Sequence, residues 1–180
     1  AGEESYGYMV GDFVRDKDAV SACAFFAAMA ADVKDKGQTL YDLLIEMYVS
    51  FGFYLESLIT LTKKGQEGEL AIKAMMEKFR NNTPEHLNNV KVVRALDYKL
   101  STEKNLLTGK SETLHFTSSD VLQYYLEDGS KISVRPSGTE PKIKFYISVN
   151  TNLSSASDYQ KTKTELEAKL KHYENYLLAL

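Results

Sequence analysis

The sequence predicts an α+β fold, an antiparallel sheet with helices on one face, preceded by the helical end of an α/β domain. Three observations lead there. After residue 52, strand and helix patterns come in runs of each kind instead of alternating as in a βαβ repeat. Asp128-Gly129 stands between two apolar-rich runs, a signal for a two-residue hairpin turn. Before residue 52, two helical patterns follow one another with no strand between them. The boundary is therefore placed there, giving segments 1–52 and 53–180.

From Asp18 to about Lys34 the pattern is helical, with Asp16 or Asp18 available as the N-cap. Its stretch from Ala22 to Ala31 has no polar residue, which predicts a helix buried on all sides with Cys23 as a buried thiol. A second helix follows Gly37, with Leu40, Leu43, Leu44, Met47, Tyr48 and Phe51 on one expected buried stripe. Phe53 to Thr62 is rich in aromatic and β-branched residues and reads as a strand. Leu70 to Phe79 repeats at helical spacing and stops at Asn81-Asn82, before Pro84.

Val90 to Leu100 reads as a strand and Ser101 to Ser111 as loop. Leu122–Glu127 and Lys131–Arg135 form the arms of the hairpin. Ile143, Phe145, Ile147 and Val149 alternate, so that strand buries one face. Tyr159, Leu166, Leu170, Tyr173, Leu177 and Leu180 mark a last amphipathic helix. The total expected for the second segment is about four strands and two helices.

Composition narrows the function classes. A net charge of −3 argues against a general nucleic-acid binder, and the ten-residue Ala22–Ala31 run is too short to cross a bilayer. One cysteine allows no internal disulfide, and the first residues are acidic rather than basic then apolar, so the expected location is cytoplasmic. The chain opens at once on Gly2-Glu-Glu-Ser-Tyr-Gly-Tyr8, a glycine-bracketed segment without an element to carry it, and is expected to be a fragment.

Arg135-Pro-Ser-Gly-Thr-Glu-Pro-Lys142 carries the chemistry. Arg135 offers a planar fork of donors for phosphate oxygens, and Ser137 and Thr139 add hydroxyls. Gly138 removes a side chain where backbone N–H groups would approach an anion. The plain alternative is an ordinary turn formed by Pro136 and Gly138. Glu140 would repel a bound phosphate and is expected to face away or to pair with Lys142. Asp12, Asp16 and Asp18 match no Ca²⁺ loop, and His86, His115 and His172 have no ligand spacing, so no metal site is expected in the chain.

Glu3-Glu-Ser5, then Val14-Arg-Asp-Lys-Asp18, then Arg135-Pro-Ser-Gly-Thr-Glu-Pro141 together resemble the α-D-phosphohexomutases, most closely the bacterial phosphoglucomutase/phosphomannomutase group. That family has three α/β domains and a smaller final α+β domain, so the resemblance implies the end of domain three and all of domain four. It implies interconversion of hexose 1-phosphates and hexose 6-phosphates through a phosphoserine enzyme and a glucose 1,6-bisphosphate-type intermediate. By motif position, Arg135, Ser137, Gly138 and Thr139 would grip the phosphate that is not reacting. Glu3 and Ser5 would contact the sugar, and Lys17 would line the substrate site. The family's Ser-His-Asn run and Asp-Gly-Asp-Gly-Asp metal loop are absent from this sequence. No catalytic residue is therefore expected in the chain, and Mg²⁺ is assigned to upstream domains of the same polypeptide. The alternative is a stand-alone module that binds a phosphorylated ligand or a nucleic-acid backbone.

Overall fold

The computed structural model describes residues 2, 3 and 7–179, with Glu3 described by its backbone alone. The chain divides into two compact units, Ala1–Phe51 and Gly52–Leu180.

In the first unit, β1 (Gly2–Glu3) pairs antiparallel with β2 (Gly7–Tyr8), and two helices follow, α1 (Ala19–Asp35) and α2 (Leu40–Phe51). Asp18 caps α1: its carboxylate accepts from Val20 N at 3.1 Å and Ser21 N at 2.9 Å, which satisfies orphan donors of the first turn. Asp18 N donates to Tyr8 O at 3.1 Å and ties the helix start to β2.

The apolar helices of this unit are not buried as the sequence predicts. On α1 only Ala22 and Val33 are buried, Phe25 is 51% exposed, and the Cys23 thiol is exposed. On α2 the expected stripe is also open, and Ile45 alone is buried. Tyr8, Phe25, Phe26, Met29, Leu43, Leu44 and Met47 instead line an apolar groove of about 690 Å³. Two helices and a two-residue ladder have too little surface to cover each other on every side.

The second unit is built on an antiparallel sheet of eight strands among the described residues. Its strands are β3 (Phe53–Thr62), β4 (His86–Leu87), β5 (Val90–Asp97), β6 (Thr102–Asn105), β7 (Ser111–Thr113), β8 (Leu122–Leu126), β9 (Lys131–Pro136) and β10 (Lys142–Thr151). The order is β3-β10-β9-β8-β5-β6-β7, with β4 paired to β5. Helices α3 (Gly65–Asn81) and α4 (Tyr159–Leu178) cover one face.

The shared face follows from register. Ile59, Phe145 and Val134 stand opposite one another on β3, β10 and β9, and the Phe79 ring of α3 lies 6.1 Å from Phe145. Phe53 and Ser57, on the same side of β3 as Ile59, meet α4: Tyr159 stacks on Phe53 at 5.2 Å and Glu174 accepts from Ser57. Phe53, Phe145, Val134, Ile143 and Val149 are fully buried, each contributing about 1.5–3 kcal/mol of transfer free energy.

Two expectations need correction. The segment read as loop at Ser101–Ser111 holds most of the β6–β7 hairpin, and with the equally unread β4 the sheet has eight strands against the about four expected. Its strands are short, polar and half-exposed, which removes the hydrophobic alternation that reveals a strand. Asn105 Oδ1 accepts from Leu107 N and Thr108 N, both at 3.0 Å, and starts the turn. The turn at Asp128-Gly129 has three residues rather than two, because Leu126 N donates to Ser130 O and leaves Glu127, Asp128 and Gly129 outside the ladder. Gly129, at φ 82°, supplies the left-handed residue that a three-residue hairpin requires.

Candidate phosphate-binding site

β9 and β10 run antiparallel and deliver the segment Ser137–Pro141 at one end of the sheet. Ser137 N donates to Lys142 O at 2.8 Å and Lys142 N to Glu140 O at 2.7 Å, which closes the loop on itself. Pro141 O accepts from Lys63 N at 2.9 Å and fixes the loop to the end of β3. Thr139 N reaches Ser137 Oγ at a long 3.4 Å, and the N–H groups of Gly138 and Glu140 have no acceptor among the described residues. A Cβ placed on Gly138 would meet nothing within 4 Å, so the loop presents open backbone.

The loop has two sides. Inward, Ser137, Gly138 and Thr139 line a cavity of about 460 Å³ with Lys73, Glu77, Arg80, Lys99 and Asp120. Arg80 is only 11% exposed and is clamped by Asp97, at 2.8 Å, and Asp120. Lys73 is paired with Glu69 at 2.8 Å. Cations on this side are thus largely neutralised.

Outward lies the helix-free face. Arg135 stands directly opposite Lys144, and alternation along β10 puts Lys142 on that face too. Arg135 and Lys144 take part in no ion pair among the described residues, while Lys142 pairs with Glu140 at 2.8 Å. Glu140 also lines the inner cavity, so the outer face presents Arg135 and Lys144 without an ion-pair partner beside the paired Lys142, a balance that suits an anion. The sequence groups Arg135 with Ser137, Gly138 and Thr139; the structure puts Arg135 on β9, just before the loop that carries the other three, and not among the residues that line the inner cavity. Alternation along the strand already puts Lys142 and Lys144 on the solvent face, where they could add positive field near the loop, but only the cross-strand register places Lys144 beside Arg135.

The same face holds Tyr125, Tyr146 and Lys131, each at an outward position of β8, β10 or β9. A bulge between Val92 and Arg94 turns Arg94 onto this face, 4.0 Å from the centre of the Tyr125 ring. Basic and aromatic residues are therefore interleaved across strands, a pattern that no single strand of the sequence displays.

In the first unit, Lys17 packs over the β1–β2 ladder. A Cβ on Gly7 would come within 2.4 Å of the Lys17 stem, so only glycine allows that approach. Lys17 Nζ lies 3.6 Å from Asp16 Oδ1. Ser5 and the side chain of Glu3 lie outside the described residues.

The comparisons with known proteins agree with this layout. The family model described as phosphoglucomutase/phosphomannomutase, C-terminal domain, matches residues 72–163, and that for the alpha/beta/alpha domain III matches residues 1–51. A phosphoglucomutase of Staphylococcus haemolyticus is 36% identical over 150 residues, which cover 83% of this chain and 27% of the relative. A phosphoglucomutase of Staphylococcus aureus is 39% identical over 147 residues, 82% of this chain and 26% of the relative. The chain therefore spans about a quarter of the length of the curated relatives it matches. Among solved structures, the open form of parafusin, an exocytosis-sensitive phosphoprotein of Paramecium, superposes with a TM-score of 0.52 at 16% identity, over 95% of this chain and 29% of that one. The two matches define the class: an alpha/beta/alpha domain III segment followed by a C-terminal domain of the phosphoglucomutase/phosphomannomutase type. The chain belongs to the phosphoglucomutase/phosphomannomutase family.

Proposed function

We propose that the chain is the C-terminal part of a phosphohexomutase that interconverts hexose 1-phosphate and hexose 6-phosphate, with glucose or mannose as the sugar. The reaction runs through a phosphoserine enzyme and a bisphosphorylated intermediate. The observation that carries this reading is the hydrogen-bonded, backbone-open loop with Arg135 and Lys144 side by side at its root. In this scheme the phosphate that is not reacting sits at the tip of the loop, where Arg135 reaches it from the outer sheet face and the N–H groups of residues 138–140, with the Ser137 and Thr139 hydroxyls, reach it from the loop itself. Glu3 and Ser5 meet the sugar hydroxyls, and Lys17 lines the substrate site. A ligand that binds in two orientations needs a grip on features common to both, a phosphate and vicinal hydroxyls.

Nucleophile and metal come from upstream segments of the polypeptide in this reading. The described residues bring together no group of three or more His, Cys, Asp or Glu fit to hold a metal ion. No helix among them is long and apolar enough to cross a membrane. Phosphorus NMR of the chain with glucose 1-phosphate tests the proposal. Binding without conversion is expected, and conversion to the 6-phosphate once the upstream domains are supplied in trans. Turnover by the chain alone, or equal binding of unphosphorylated glucose, would contradict it.

A second reading, a module for nucleic-acid backbone, is favoured by the interleaved Lys131, Tyr125, Tyr146 and Arg135 on the helix-free face. The net charge of −3 weighs against it. An RNA gel shift abolished by moderate salt would favour this reading over the first.

A further inference from the structure

The loop carries its own anion. Glu140 Oε2 lies 2.8 Å from Lys142 Nζ, while the main chains of the same two residues are joined by the bond from Lys142 N to Glu140 O. Lys142 is thus fixed at its backbone and able to change partner at its side chain. The pair is open to solvent, with side-chain exposures of 33% and 57%, and such pairs shift an equilibrium by only about two- to fivefold. An incoming dianion competes easily for Lys142. Its route is short, because Lys142 shares a face with Lys144 and hence with Arg135.

We propose that Glu140 is an internal counter-ion, which occupies Lys142 while the loop is empty and yields it to a bound phosphate. Glu140 thereby weakens the grip and returns to Lys142 as the ligand leaves. The inference rests on the phosphate reading above. It makes Glu140 a positioning residue that acts through Lys142. A carboxylate that merely repelled the ligand through space would weaken binding too, but independently of Lys142, and a double-mutant cycle separates the two.

The test titrates inorganic phosphate into the 180-residue chain and its variants Glu140→Gln, Lys142→Ala, the double variant and Arg135→Ala, with amide NMR spectra to verify folding. Glu140→Gln is expected to bind about two- to fivefold tighter and Lys142→Ala more weakly. The gain from Glu140→Gln should largely vanish in the Lys142→Ala background. An equal gain in both backgrounds, or no gain in either, overturns the exchange. Arg135→Ala binding as well as the unaltered chain would instead overturn the phosphate reading, and the inference with it.

Discussion

Arg135 of β9 and Lys144 of β10 occupy directly opposed register positions, side by side on the sheet face that the helices leave uncovered. Opposed side chains on antiparallel strands stand about 4.5–5.5 Å apart at Cβ, close enough for two cations to share one phosphate. Held that near without a carboxylate between them, they repel each other until an anion binds. Arg135→Ala should weaken phosphate binding about 10- to 100-fold, the loss of a charge-assisted hydrogen bond worth about 1.5–3 kcal/mol. Lys144→Ala should cost less, because Lys acts as a point charge without the bidentate fork. Calorimetry at two salt concentrations measures both, and the deficits should shrink in high salt.

Gly138 separates folding from binding. Its Cβ position is open, so Gly138→Ala should leave the melting temperature within about 2 °C of the parent. The added methyl stands where an anion would approach the backbone, and phosphate affinity should fall severalfold. A melting curve beside a phosphate titration distinguishes the two.

Arg80 joins α3 to the end of β5 through Asp97 and to the segment before β8 through Asp120. Asp97 is itself buried and accepts from Lys99 N at 2.9 Å and Leu100 N at 3.2 Å. Arg80→Ala would leave Asp97 and Asp120 without their cationic partner, Asp120 at the lining of the inner cavity. About 2–4 kcal/mol of destabilisation is expected, read from urea denaturation.

Asp128 predicts the acid limb of the stability curve. Burial pushes its carboxyl up, but hydrogen bonds from Lys169 and Ser130 outweigh that effect and leave it below its ordinary value. A pKa lowered by folding contributes stability that is present above the unfolded value of about 3.9 and is lost as pH falls through the folded value. Unfolding free energy should therefore decline below about pH 4, and Asp128→Asn should be less stable at neutral pH with a flatter acid limb. Tyr173 Oη, which donates to Asp128 Oδ2 at 3.1 Å, links the same carboxylate to α4.

Much of this was legible in the sequence, for physical reasons that can be named. The alternation of Ile143, Phe145, Ile147 and Val149 reports a strand with one buried face, and all four are buried. Asp18 caps α1 because a carboxylate at that position meets the free N–H groups of the first turn. The β6–β7 hairpin left no hydrophobic trace, since its residues are polar and none of them is buried. Exposure of Phe25 and Cys23 was equally hidden, because an apolar run records what a helix seeks to bury, not what is present to cover it. The loop residues were readable as a local string. The position of Lys144 beside Arg135 was not, because it exists only in the pairing of two strands.

The most direct measurement is an amide NMR titration of the chain with glucose 1-phosphate, repeated on Arg135→Ala. The expected result is a set of shifts confined to residues 135–144, saturating in the millimolar range and absent in the variant. Shifts elsewhere, or equal shifts in the variant, would contradict the assignment of this loop as the phosphate grip.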